Sequence, residues 1–319
     1  MILTDDNNLN FIIAVHHSVD EDMTGGTIVL HKLAYELAIK NHNVYVFTKP
    51  VYEHQNIKVI PSKFEYKNDK TMLSWENFTF PINKTIAIYP QTIHNNPFNC
   101  KHVVRWILYH TINEIEKTFG INDEYFNFGD FKTFRQTDNK KLTIFDYNFD
   151  KLYQTNVNKR KGFCHLLHKH TPTNGEKILE VFNSKDLSEF EKSKRMDFNF
   201  LREELNNFEY FLTFDKKSYY TLAAILCGCK VIILDVENNT EFYENAFTES
   251  IEFNNKMTPT EYRINNPIQM FGVAFGVDDI SWANNTIEFA KQHLMELDII
   301  DKKTVDNFVK FWENKIYDI

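Results

Sequence analysis

Three stretches of this chain carry residue types suited to gripping a phosphorylated ligand. A polar loop, His16 to Thr24, ends in Gly25-Gly26 directly before an amphipathic helix. A helix start leaves backbone N–H groups unpaired and carries about half a positive charge, so it attracts phosphate. Two glycines there let a ligand reach the backbone with no Cβ in the way. The alternative is a tight turn that needs positive φ. The pair is not the G-x-G-x-x-G dinucleotide fingerprint, which disfavours a hydride-transfer enzyme.

The second stretch is basic. Lys159-Arg160-Lys161 and His168-Lys169-His170 flank one predicted strand. Cations at both ends could hold a diphosphate, each charge-assisted bond contributing about 1.5–3 kcal/mol when sheltered. Solvated surface charge is the alternative. Lys169 stands above it because it falls at the carboxyl end of a parallel strand, where open α/β sheets bind ligands. The third stretch, Phe214 to Gly228, reads as a strand end, a polar loop and a helix closed by Gly228. Asp215 and Ser218 either cap that helix or hold the hydroxyls and phosphates of a nucleotide. Ser218 reads first as a cap.

Other chemistry finds less support. His165, His168 and His170 alternate faces along a strand, so they do not converge on one ion. Cys227-Gly228-Cys229 lacks the second pair that a zinc site needs, and Cys164 has no partner arrangement that marks a nucleophile. All four cysteines, with Cys100, read as small buried apolar residues. Arg105 and Trp106 share a strand and face opposite sides, which puts Trp106 in the core.

The elements that must position these residues alternate between strand and helix. Asn10–Val15 is a short apolar run fit for a strand buried on both faces. The helix after Gly26 has its stripe at Leu30, Leu33, Ala34, Leu37 and Ala38. Asn41-His42-Asn43 turns the chain into a strand at Val44–Phe47, a β-α-β unit that demands a parallel sheet. Further strands are predicted at 57–60, 85–89, 103–108 and 141–145, with the rest of 121–149 as loop. The second half repeats the scheme: strands at 162–167, 208–214 and 231–234, helices at 176–182 and 219–227. Two helices, 282–297 and 302–312, close the chain. The join falls near 151–161.

The 319 residues carry formal charge −8, with 43% hydrophobic and 25% charged residues, an ordinary globular balance that excludes wholesale disorder. The acidic balance argues against general nucleic-acid binding. No stretch approaches the ~18 apolar residues of a membrane span, and the first residues lack a secretory signal, so a cytoplasmic protein is expected. Glycine is scarce, nine residues, while asparagine, lysine, isoleucine and phenylalanine are heavily used. Most backbone positions are therefore expected to avoid positive φ.

The order of these segments resembles a known family. Gly25 to Ala38, followed by Asn41-His-Asn-Val-Tyr-Val46, is similar to the start of GT-B glycosyltransferases: a glycine pair, an amphipathic helix, Gly-His, then a strand. Tyr89-Pro-Gln-Thr-Ile-His-Asn-Asn-Pro97 and Val103–Leu108 resemble a bacterial and viral branch of such enzymes. Phe214–Gly228 and Phe271–Gly276 are similar to that branch's later motifs. The similarity is scattered over residues 10–295 in the expected order.

The resemblance implies an α/β fold of two Rossmann-like domains facing across a cleft, with C-terminal helices packing back toward the first. Residues 1–155 would form the acceptor domain and 156–319 the nucleotide-sugar donor domain. It implies direct sugar transfer from a nucleoside-diphosphate sugar to a glycan or other hydroxyl acceptor, with no cofactor and no essential metal. A viral member would work in the host cytoplasm. Donor contacts would come from Gly25, Gly26, Thr27, Arg160, Lys169, Asp215, Ser218 and Thr221. A general base would come from the loop after the first strand, where His16, His17, Asp20 and Asp22 stand unranked. Asp20-Glu21-Asp22 formally matches the D-x-D metal site of the other large glycosyltransferase fold, but it precedes the first helix instead of following a deep strand.

Three positions depart from the family pattern. Two glutamates eight positions apart become Asp215 and Ala223, so the ribose contact is missing or comes from elsewhere. Gln91 stands where Glu is expected, and an amide is no general base. Asn41 replaces the glycine after the first helix. A catalytically silent module that binds a glycan or protein is the rival reading, and a nucleotide-sugar epimerase a third.

Overall fold

The computed structural model describes residues 8–15, 25–48, 60–61, 82–109, 113–129, 140–156, 159–167, 175–188, 198–215, 218–234 and 271–317. Strand β1 (Asn10–Val15) is buried along its whole length, with β2 (Asn43–Thr48) on one side and β4 (Thr85–Pro90) on the other, both parallel. That double burial is why its sequence is an unbroken apolar run instead of an alternation. The expected strand at 57–60 is described only at its end, as β3 (Ile60–Pro61), which pairs antiparallel with β2 at the sheet edge. A proline, lacking an N–H, fits an edge. Strands β5 (His102–Ile107) and β6 (Glu124–Asn127) complete the order β3-β2-β1-β4-β5-β6.

Helix α1 (Gly25–Ile39) places Leu30, Leu33, Ala34, Leu37 and Ala38 against Phe11, Ile13 and Val15 of β1. Ile12 and Ala14 face the other way and pack with Phe47, Ala87, Tyr89, Ile93 and Phe98. The period of two along the strand thus feeds two cores. Trp106 is fully buried in the first of these, its Nε1 donating to the Leu142 carbonyl at 2.8 Å, as its position opposite Arg105 predicts.

A second parallel sheet holds β7 (Phe163–His165), β8 (Lys185–Asp186), β9 (Tyr210–Thr213), β10 (Lys230–Ile233) and β11 (Val273–Phe275) in the order β8-β7-β9-β10-β11. Its helices are α3 (Gly175–Val181), α4 (Phe198–Leu205) and α5 (Tyr219–Leu226), α2 (Asn113–Glu116) being a single turn of the first half. Both sheets are Rossmann-like. The first has the doubly wound order 3-2-1-4-5-6 with an antiparallel edge, and the second is wound 2-1-3-4-5.

The chain divides into two compact units, Met1–Asp146 with Asp298–Ile319, and Tyr147–Leu297. The boundary falls before the expected 151–161, and the last residues join the first unit. In place of two closing helices there is one, α6 (Ile280–Tyr317). Nothing breaks it: Asp298-Ile-Ile-Asp301 has no Gly or Pro, and Asp298 pairs with Lys302 one turn on at 2.6 Å. Its Val305, Phe308, Val309 and Trp312 enter the core formed by α1 and β1, which is the packing toward the first domain that the family resemblance implies.

Two expectations are corrected. Residues 141–145 form no strand: one bridge joins Lys141 to Asn127, and Thr143 then binds Thr304 of α6 through its backbone N–H and carbonyl. Glycine scarcity does not keep the backbone out of positive φ, because Asn41, Asn95, Asn99, Asn148 and Asn183 enter the left-handed region. Asparagine tolerates that region better than other non-glycine residues. Asn41 (φ 66°) sits just past α1, where Asn41 N–H reaches Ala38 and His42 N–H reaches Leu37, so it performs the glycine's task at that turn.

Candidate functional site

Strand order reverses between β1 and β4 in the first sheet and between β7 and β9 in the second. Open α/β sheets bind ligands outside the carboxyl ends of the strands at such reversals. In the first unit that edge is made by the end of β1, the start of α1 and the residue after β4. Gly25 and Gly26 lie inside the first turn of α1, not at positive φ, which removes the tight-turn explanation. No described atom lies within 4 Å of a Cβ built on Gly25, and on Gly26 it would meet only Leu108 Cδ1 at 3.8 Å. Among the described residues no atom crowds either position. Thr27, the next residue, is buried. His16, His17, Asp20 and Asp22 lie outside the described residues.

Gln91 closes this edge. Its side-chain oxygen accepts the N–H of Leu108, at 3.0 Å. The motif around it is built as a rigid corner. Tyr89 Oη donates to Asn96 Oδ1 (2.9 Å) and accepts from Phe98 N–H (3.0 Å). Arg105, wholly buried, pairs with Asp123 at 2.6 Å, donates to the carbonyls of Ile93 and Asn95, and lies over the Tyr89 and Phe119 rings. The resemblance motif 89–97 therefore carries structure at Tyr89, Gln91, Ile93, Asn95 and Asn96.

In the second unit the reversal brings together the end of β9 and the start of α5. Thr213 Oγ1 accepts from Asp215 N–H at 3.0 Å, which holds the chain in a turn as the strand ends. Ser218 is the N-cap of α5, its hydroxyl accepting from Tyr220 N–H at 3.2 Å, as its sequence position predicts. Thr221, in the first turn, is buried, and its hydroxyl has no hydrogen-bond partner among the described residues. A buried hydroxyl left unpaired costs about 1–3 kcal/mol. Sequence reasoning named Thr221 without that signal, which only burial and pairing reveal. Tyr219 Oη accepts from Asn148 Nδ2 at 3.0 Å, and Tyr147 stacks on Phe149, so aromatic residues flank the helix start.

Arg160 has another task. Its guanidinium donates to the carbonyls of Asn156 (2.6 Å), Cys227, Leu205 and Phe208 and to Asn206 Oδ1 (2.5 Å). It thereby ties the C-termini of α4 and α5, where carbonyls are unpaired and the helix dipole is negative. All its N–H groups are engaged, which leaves none for a phosphate and corrects the expected donor role. Lys169 lies outside the described residues. Ala223 is wholly buried in α5, so a glutamate in that slot would enter the core instead of reaching a ribose.

The cysteines serve packing, and the Cys229 thiol also donates to the Leu205 carbonyl at 2.9 Å. Cys164, Cys227 and Cys229 are buried and Cys100 half-buried; burial pushes the Cys227 thiol up to about 12 and that of Cys100 to about 11. Neither forms a nucleophilic thiolate near neutrality. No helix among the described residues is long and apolar enough to cross a membrane.

No protein-family model matches the chain, and no curated protein matches it in sequence. Among solved structures it is similar to a sucrose-phosphate synthase from Thermosynechococcus elongatus, with TM-score 0.43 and 9% identity, over 97% of this chain and 94% of that one.

Proposed function

We propose that the chain is a glycosyltransferase that moves a sugar from a nucleoside-diphosphate sugar to a hydroxyl acceptor without an essential metal. The observation that carries this reading is the second sheet's reversal between β7 and β9, which sets Asp215, Ser218 and Thr221 around one helix start at the carboxyl edge. These are residues of the segment whose sequence resembles the donor-binding motif of GT-B enzymes. The Thr221 hydroxyl and the first N–H groups of α5 hold the donor, with Lys169 as its cation. Donors placed where a leaving diphosphate gains charge lower the barrier most. The glycine-rich start of α1 offers the same chemistry to a phosphate. His16, His17, Asp20 and Asp22 supply the candidates for a base that takes the acceptor's proton.

A catalytically silent binding module is the second reading. The structural duty of Gln91 and the burial of Ala223 favour it, since both remove a carboxylate that the family pattern supplies. Incubation of the purified protein with a panel of nucleotide sugars separates the two. Release of nucleoside diphosphate, slow in water and faster with an acceptor glycan, is expected of the enzyme. Binding with no release is expected of the module.

A further inference from the structure

Helix α6 buries one face: Ala283, Ala290 and Leu294 in its first half, Val305, Phe308 and Trp312 in its second. Away from that face, where an amphipathic helix is ordinarily polar, Phe289, Met295, Ile299 and Ile300 are 50% to 58% exposed. Apolar side chains exposed singly need no explanation, whereas a contiguous group of them marks an interaction surface. The spacing of the exposed residues is ordered. Phe289, Gln292, Glu296, Ile299 and Lys303 stand at alternating steps of three and four, the seam of a coiled coil, and Gln292 Nε2 donates to Glu296 Oε1 at 3.1 Å. Glu288 and Met295 flank this seam on one side and Ile300 on the other.

The seam is complementary to itself in one orientation. Set antiparallel about a two-fold axis, Phe289 of one copy lies opposite Ile299 of the other. The Gln292 amide lies opposite the Glu296 carboxylate, which accepts from it. Met295 then meets Met295, and Glu288 meets the end of the other helix that carries Lys302 and Lys303. Parallel pairing instead sets every residue against its own copy: carboxylate on carboxylate at Glu288 and Glu296, lysine on lysine at Lys303. A polar layer inside an apolar seam fixes register and orientation at some cost in stability, which is the place of Gln292 and Glu296 here. An anionic membrane surface is a poor cover for the same stripe, because Glu288 and Glu296 oppose it.

We propose that this stripe of α6 pairs antiparallel with the same stripe of a second copy of the chain, giving a two-fold symmetric dimer. One patch serves on both copies, as an isologous contact requires. The inference stands on a single continuous helix and holds whether or not the chain transfers sugar.

Sedimentation equilibrium of the whole protein is expected to show a reversible dimer. Ile299→Lys, at an exposed position that spares both cores, is expected to raise the dissociation constant about tenfold or more. Cysteines at Phe289 and Ile299 read the orientation. The two positions lie about 15 Å apart along one helix, too far for a disulfide within a chain. Under mild oxidation by copper phenanthroline, the double variant Phe289→Cys with Ile299→Cys is expected to form a covalent dimer. Either single variant, like the wild type with its own cysteines, is expected to stay unlinked. Covalent dimers from each single variant would make the pairing parallel and overturn the proposal. So would association unaltered in Ile299→Lys, or a wild type that remains a single chain at every concentration. If the Phe289→Cys thiol of that single chain also resisted maleimide, the stripe would belong to another segment of the same chain.

Discussion

The side-chain oxygen of Gln91 accepts the N–H of Leu108 at 3.0 Å, each residue standing one position beyond the end of its strand. The amide continues the β4–β5 ladder past its last backbone pairing. Glutamate offers the same acceptor, so Gln91→Glu is expected to retain stability. Gln91→Leu leaves the Leu108 N–H without its acceptor and is expected to cost about 1–3 kcal/mol. Urea denaturation of both variants checks this, and equal stability of the Leu variant would contradict it.

Asn41 does the work of a glycine past the end of α1, at φ 66°. Asn41→Gly is therefore expected to be neutral or slightly stabilising. Asn41→Ala places a Cβ in the left-handed region and is expected to cost about 1–2 kcal/mol. The difference between the two midpoints in urea is the measurement.

Arg160 binds carbonyls from two helix ends at once. Lysine keeps the charge but lacks the planar fork. Arg160→Lys is expected to destabilise the protein by about 2–4 kcal/mol, losing more than one charge-assisted bond. A variant unchanged in stability yet unable to bind nucleotide would return Arg160 to a ligand role.

Acidification should destabilise the fold in two stages. Burial holds His42, His102 and His165 below the ordinary imidazole value of 6.5. Burial would raise Glu124, but Lys140 and Lys315 outweigh it and hold that carboxyl below 4.5. In each case the unfolded chain binds protons first, so stability rises with pH. Their contributions are complete above 6.5 and 4.5 respectively and are lost as pH falls through the folded values. A melting temperature that declines from pH 7 toward pH 5 and again below 4.5 is expected, with a shallower first stage in His42→Gln.

Much of the architecture was legible because parallel strands buried on both faces announce themselves, as Asn10–Val15 and Val231–Ile233 do. The asparagines at left-handed positions were not, since asparagine also serves in ordinary loops. The continuity of α6 was hidden at Asp298-Ile-Ile-Asp301, where exposed Ile299 and Ile300 and buried Asp301 reverse the expected apolar-in, polar-out stripe. Strand β8, two exposed residues, has no hydrophobic period at all. The α5 cap was readable from Ser218 alone. The assignment of Arg160 was not, because a basic run looks the same whether it faces a phosphate or a set of carbonyls, most of them 45 or more positions away.

The central claim is that the edge formed by Asp215, Ser218 and Thr221 holds a nucleotide sugar. Its most direct test is calorimetric titration of a nucleotide-sugar panel into the wild type and Thr221→Val, a change that removes the unpaired hydroxyl but little volume. One donor is expected to bind the wild type and to protect it by about 2.7 kcal/mol at a hundred times its Kd, with affinity about tenfold weaker in the variant. Heat of binding from no member of the panel, or equal affinity in both proteins, would contradict the account.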